Sequence, residues 1–171
     1  LPEAYGCAGL NSVAYGLIMQ ELERGDSGIR SFASVQGALV MYPIFAFGSE
    51  EQKRRWLPAL AAGTDIGCFG LTEPEHGSDA THMETRAVQA TRDNVKGWII
   101  NGEKMWTTGM HVATHCALFA RTSGNDGDAR GITCFLVPAK SLGVKVEEYM
   151  WTFNMPTDHP RVSFTDVFVP E

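Results

Sequence analysis

The sequence predicts an α+β protein, with a helical segment over residues 1–64 followed by an antiparallel β-barrel or sandwich domain over residues 65–171. Two observations carry this. Apolar residues recur at helical spacing as far as Leu57, and after Asp65 the period falls to 2. Polar turns such as Ser123-Gly124-Asn125-Asp126-Gly127-Asp128 then punctuate the remainder. A run of helices followed by a run of strands is the pattern of segregated layers.

The first helix spans residues 11–24, where Val13, Tyr15, Leu17, Ile18 and Leu22 form one face and Gly25 supplies the stop. A second pattern runs from Ser31 to Phe47 through Val35, Leu39, Val40, Ile44 and Phe45, and Pro43 must kink or divide it. Ser49-Glu50-Glu51-Gln52 is a capping box that starts a third helix through Trp56 and Leu57. Strands are expected at 66–72, 84–90, 95–101, 116–121, 132–137, 144–148 and 161–169. In the last, Val162 and Phe164 alternate with Arg161, Ser163 and Thr165.

Composition narrows the functional classes. A 171-residue chain with 44% hydrophobic residues has ample material for a packed core. The net charge of −6 argues against a nucleic-acid surface, and Lys53-Arg54-Arg55 reads as a solvated helix face. Cys7, Cys68, Cys116 and Cys134 show no C-x-x-C spacing, which speaks against a disulfide scaffold or zinc site and for a reducing compartment. No apolar run reaches membrane-spanning length. The chain opens on Leu1-Pro2-Glu3, as though inside something longer. His111 and His115 have the spacing of helical metal ligands, but no glutamate follows the first and no third ligand is evident, so no metal is expected. There is no G-x-S-x-G elbow, no phosphate loop and no G-x-G-x-x-G turn.

Two segments carry chemistry. Cys68-Phe69-Gly70-Leu71-Thr72-Glu73-Pro74-Glu75-His76-Gly77-Ser78-Asp79 joins an apolar strand to a proline turn and a Gly-Ser-Asp corner able to present N–H groups and a hydroxyl to an anion. Asn101-Gly102-Glu103-Lys104-Met105-Trp106-Thr107-Thr108-Gly109 offers a flat aromatic ring beside two hydroxyls, entered by an Asn-Gly turn. Taken singly, each is also what a hairpin in an all-β binding domain would contain.

Together, in this order, they resemble the two flavin-binding segments of the acyl-CoA dehydrogenase family. Asp26-Ser27-Gly28-Ile29-Arg30-Ser31-Phe32-Ala33-Ser34-Val35-Gln36, Gly48-Ser49-Glu50-Glu51-Gln52-Lys53 and Trp56-Leu57-Pro58 extend the likeness, which is greatest to the glutaryl-CoA dehydrogenase branch. The resemblance implies FAD on the middle β-domain. Phe69, Leu71 and Thr72 would lie along the ring, Gly77 and Ser78 at the pyrophosphate, and Trp106 and Thr108 against the ring and its N5 edge. On the substrate side it implies Arg30 and Ser34 for a distal carboxylate, Thr133 near the CoA chain, and Ser78 as a further substrate contact. The bland alternatives are a core tryptophan at 106, a strand hydroxyl at 108 and a snorkelling arginine at 30.

The activity so implied is α,β-dehydrogenation of an acyl-CoA, with decarboxylation if the substrate is glutaryl-CoA. Electron-transfer flavoprotein is the implied acceptor, a homotetramer the implied assembly, and bacterial cytoplasm or mitochondrial matrix the location, within fatty acid or amino acid catabolism. The alternatives are a dehydrogenase or oxidase of another chain length, or a β-sandwich binding module without catalysis. Two departures stand out: Thr107 where an aliphatic residue is usual, and Met150-Trp151-Thr152-Phe153-Asn154-Met155-Pro156-Thr157-Asp158-His159-Pro160 in place of a basic, glycine-containing segment. The resemblance puts the catalytic base in a C-terminal helical bundle beyond residue 171, so Glu73 and Glu75 are read as setting turn geometry.

Overall fold

The computed structural model describes residues 1–171, which divide into two compact units, Leu1–Cys68 and Phe69–Glu171.

In the first unit, α1 (Ser12–Gly25) is capped by Asn11, whose side chain accepts from the Ala14 N–H, and α2 (Ser27–Ser34) is capped in the same way by Asp26 on Ile29. A π-helical turn, Val35–Met41, leads into α3 (Tyr42–Phe47). Pro43 therefore divides the second helical pattern in a specific manner: the chain widens just before the proline and restarts with it in the first turn of α3. Gly48 caps α3, and Ser49 and Gln52 form the expected capping box of α4 (Glu50–Ala62).

Gln36, on the π turn, ties this unit together. Its Nε2 donates to the Leu60 and Asp65 carbonyls, both at 2.9 Å, and its Oε1 accepts from the Gly67 N–H at 2.8 Å. Around it Val40, Met41, Leu57 and Leu60 are buried. The amphipathic face of α1 is not: Val13 is 71% and Leu17 58% exposed, and α1 contributes no buried residue.

The second part of the chain forms a seven-stranded sheet of β1 (Gly67–Gly70), β2 (Arg86–Arg92), β3 (Val95–Lys104), β4 (His115–Arg121), β5 (Ile132–Pro138), β6 (Val144–Thr152) and β7 (Met155–Pro170). The order is β1-β4-β2-β3-β7-β6, with β5 paired to β4. All seven expected strands are present, but the sheet is mixed and open rather than wholly antiparallel and closed. β2 and β4 run parallel at Arg86 and Arg121, since β3 and the turn after it intervene before β4 takes its place beside β2.

Asp93 and Asn94, both in the left-handed region, make the two-residue hairpin turn between β2 and β3. The Asn-Gly pair at 101–102 is not a turn. β3 runs straight through it, and the register with β7 slips between Ile100 and Gly102, a β-bulge. Gly102 has φ 154°, and a Cβ there would come within 2.6 Å of the Thr85 Cα, so glycine serves close strand approach here. Asn101 reaches the partner strand, accepting from the Asp166 N–H at 2.9 Å. Asp166 itself has φ 49°, and it flips the inward parity of β7 from Val162 and Phe164 to Val167 and Val169.

Candidate functional site

The two chemistry-bearing segments meet in the second unit. β1 delivers Phe69, whose ring lies 5.0 Å from that of Phe119, and then leaves the sheet at Leu71. β3 delivers Lys104 and stops before Trp106. The Met105 N–H donates to the Thr72 carbonyl at 2.8 Å, and Lys104 Nζ donates to the Leu71 carbonyl at 3.1 Å, which holds the ends of both segments side by side.

Lys104 Nζ also meets Glu73 Oε1 at 2.8 Å, an ion pair whose side chains are 0% and 4% exposed. The Glu73 carboxylate accepts from the backbone N–H groups of Glu84 at 2.6 Å and Thr85 at 3.0 Å. Burial pushes the Glu73 carboxyl up, but hydrogen bonds from Lys104, Thr85 and the Glu84 amide outweigh it and hold it below its ordinary value. Burial likewise pushes the Lys104 ammonium down, against the pull of Glu73. Glu73 is thus bound into the loop's framework, as a turn-setting residue should be, while Glu75 is exposed.

Past β3 the chain turns sharply. Trp106 has φ 62°, costly for an aromatic residue, and it keeps its ring 40% exposed. Thr107 points the other way: it is fully buried, and its hydroxyl has no hydrogen-bond partner. Thr108 is half-buried, and its Oγ1 lies 2.8 Å from His159 Nδ1. The His159 ring sits edge-on to Trp106 with centroids 6.3 Å apart. Backbone bonds from Thr107 N–H to the Pro160 carbonyl and from Gly109 N–H to the Asp158 carbonyl, both 3.1 Å, fasten this turn to the start of β7.

The divergent segment therefore packs against the Trp106–Thr108 turn. Residues 150–160 form the end of the β6–β7 hairpin, with Phe153 and Asn154 at its left-handed turn. His159 escaped sequence reasoning because it lies 51 residues from Thr108. Nothing local in the sequence marks it beyond its being the sole histidine of that segment.

The loop after Thr72 closes on itself through reciprocal Glu73–His76 backbone bonds of 3.1 and 3.2 Å, leaving Gly77 and Ser78 exposed. A Cβ added at Gly77 would meet nothing within 4 Å, so no internal packing demands a glycine there. An exposed aromatic face, a neighbouring hydroxyl and an open glycine-serine corner suit a flat group with an anionic arm.

The residues expected for substrate are distributed otherwise. Thr133, on β5, is exposed and shares a 2.9 Å contact with the Thr122 hydroxyl. Arg30 and Ser34 belong to the first unit. Arg30 Nε meets Glu23 Oε2 at 2.6 Å, and Ser27 donates to the same carboxylate, so the arginine joins α1 to α2. Hydrogen bonds from Ser27 and Arg30 hold the Glu23 carboxyl below its usual range. Ser34 Oγ donates back to the Ser31 carbonyl at 3.0 Å. His111 lies in a turn and His115 opens β4, so the two do not share a helical face.

Comparison with known proteins gives a consistent result. The family description "Acyl-CoA dehydrogenase, N-terminal domain" matches residues 1–64, and "Acyl-CoA dehydrogenase, middle domain" matches residues 68–167. The human mitochondrial short-chain specific acyl-CoA dehydrogenase is 39% identical over 144 residues, 84% of this chain and 34% of that protein. The chain thus spans about a third of the length of the curated relatives it matches. A glutaryl-CoA dehydrogenase from Mycobacterium smegmatis, solved with FADH2, is 46% identical with a TM-score of 0.82, over 97% of this chain and 41% of that one. An acyl-CoA dehydrogenase from Bacillus anthracis, solved with FAD, is 29% identical with a TM-score of 0.86, over 100% of this chain and 28% of that one.

Proposed function

The chain belongs to the acyl-CoA dehydrogenase family of oxidoreductases, and from that premise we propose that the protein containing it binds FAD on the second unit and oxidises the α,β bond of an acyl-CoA thioester. The observation that carries this reading is the juxtaposition of Thr72 with the Trp106–Thr108 turn through the Met105–Thr72 backbone bond. When bound, FAD would supply the acceptor for the two electrons that leave the substrate. The chain's own residues bind and orient. Trp106 offers an aromatic face, Thr72 and Thr108 offer hydroxyls at the polar edge, Phe69 and Leu71 line the apolar side, and Gly77 and Ser78 receive the pyrophosphate. Thr133 and Ser78 serve the CoA arm in this reading.

For the acyl chain we infer glutaryl-CoA, supported by the 46% identical relative and by Arg30, whose planar guanidinium can grip a distal carboxylate with Ser34 nearby on the same helix. One observation favours a second reading. Glu23 already occupies the Arg30 Nε, and a substrate carboxylate would have to share the guanidinium with it. A short neutral acyl chain needs no such rearrangement. Electron-transfer flavoprotein as acceptor, a homotetrameric assembly, and a place in the bacterial cytoplasm or mitochondrial matrix complete the proposal; no helix is long and apolar enough to cross a membrane.

The test uses the full-length protein. It should purify yellow, release FAD on denaturation, and reduce an artificial acceptor when given an acyl-CoA. A panel setting glutaryl-CoA against neutral acyl-CoAs of matched length, with CO2 release followed, separates the two chain readings by kcat/KM. A colourless protein inert to every acyl-CoA would leave only a binding module.

A further inference from the structure

Thr108 has one hydroxyl hydrogen to give and two lone pairs to offer. Its contact with the Trp106 carbonyl is long, at 3.4 Å, whereas His159 Nδ1 stands at 2.8 Å, so the imidazole governs the hydroxyl. If Nδ1 is bare, Thr108 donates to it and turns a lone pair outward. If Nδ1 carries hydrogen, the imidazole donates and the hydroxyl hydrogen is free to point outward. Which of these holds depends on what else faces Nδ1, and that group is Asp158, with its Oδ1 at 3.3 Å. A carboxylate beside Nδ1 favours hydrogen on that nitrogen.

The arrangement is braced from several sides. The His159 N–H donates to Thr157 Oγ1 at 3.2 Å, and that hydroxyl donates to the Met150 carbonyl at 2.6 Å. The Trp106 ring covers the imidazole edge, and the two backbone bonds from Thr107 and Gly109 fix the turn against Asp158 and Pro160.

We propose that His159 is a positioning residue for the cofactor edge: with the Asp158 carboxylate beside its Nδ1, it turns the Thr108 hydroxyl hydrogen outward, toward a hydrogen-bond acceptor on the group beside Trp106. This rests on the proposal that the group is FAD. Oxidised flavin presents an acceptor at N5 and reduced flavin an N–H, so an outward donor favours the oxidised form. The chain reaches this arrangement through the very segment, residues 150–160, in which it departs most from its family's pattern.

The experiment uses the full-length, FAD-loaded protein and reads the midpoint potential and the visible absorption of the bound flavin. His159→Leu should raise the midpoint potential and shift the flavin band. His159→Asn, whose amide reaches the Nδ1 position, should restore both toward wild type. In a Thr108→Val background, His159→Leu should add nothing, because the hydroxyl through which it acts is gone. His159→Gln, which places its amide beyond the Nδ1 position, serves as a second loss variant if the leucine form loses its flavin. Wild-type potential and spectrum in both loss variants, or an equal shift with and without Thr108, would overturn the proposal. A colourless wild-type protein would instead overturn the flavin reading beneath it.

Discussion

Lys104 is the residue on which the two segments depend most. Its ammonium and the Glu73 carboxylate are buried together, and each would be costly without the other. Lys104→Met removes one partner and should destabilise the protein by about 3–5 kcal/mol in chemical denaturation. The double change Lys104→Met with Glu73→Gln should recover much of that loss, since no uncompensated charge remains. The pH dependence has a definite sign. The folded-state pKa of Glu73 lies below its ordinary 4.5, so the pair's stabilisation is present above that value and is lost as pH falls through the lower, folded-state value. In the double variant this acid limb should flatten, and an unchanged limb would mean that another carboxylate is responsible. Thr107 adds a smaller point: its buried hydroxyl has no partner, an isolated cost just behind an exposed tryptophan in a strained backbone.

At the scale of elements, the loop after β1 and the bulge within β3 solve different problems with glycine. Gly102 is demanded by the chain itself, because Thr85 fills the space where a Cβ would go. Gly77 meets no such demand and has room around it. A substitution at 77 should therefore spare the fold and reveal whatever approaches the loop from outside. Gly77→Val is expected to leave the apoprotein's thermal midpoint unchanged while weakening FAD binding by at least about tenfold, roughly 1.4 kcal/mol. Isothermal titration of apoprotein with FAD measures this, and full affinity in the variant would remove the loop from the pyrophosphate site. The β6–β7 hairpin belongs to the same scale. Its two-residue turn fixes a register in which Thr157 to Pro160 run beside the Trp106 turn.

For the whole molecule, the contrast between the units is one of burial. The strands bury Ile100, Leu118, Val137, Val162, Phe164 and Val167 almost completely. The helical unit leaves Val13, Leu17, Phe32 and Phe47 at 45% exposure or more, and it holds a groove of about 1110 Å³ lined in part by Tyr15, Ile18, Phe32 and Met41. Apolar surface on this scale binds hydrophobic probes. Residues 1–171 expressed alone should strongly enhance the fluorescence of an anilinonaphthalene dye. Serine at Val13, Leu17 and Phe32 should reduce that signal without lowering the unfolding midpoint, because none of the three is buried. A large fall in the midpoint would show that this face is covered in solution.

The sequence by itself determined the order of helices and strands, the capping box at Ser49, the placement of all seven strands and the family. These are local properties, set by hydrophobic period, by side chains that cap their own helix and by contiguous motifs. Lys104 was legible only as part of the 101–109 run; its burial against Glu73, 31 residues away, was not. The Asn-Gly pair misled because its meaning is set by Thr85 across the sheet, not by the dipeptide. What only tertiary structure decided was the mixed sheet, the Arg30–Glu23 pairing and the contact of His159 with Thr108. The sheet pairing and the histidine contact join positions far apart in the chain, and the arginine pair spans the break between two helices; side-chain pattern records which face is buried, not which partner the fold will bring to it.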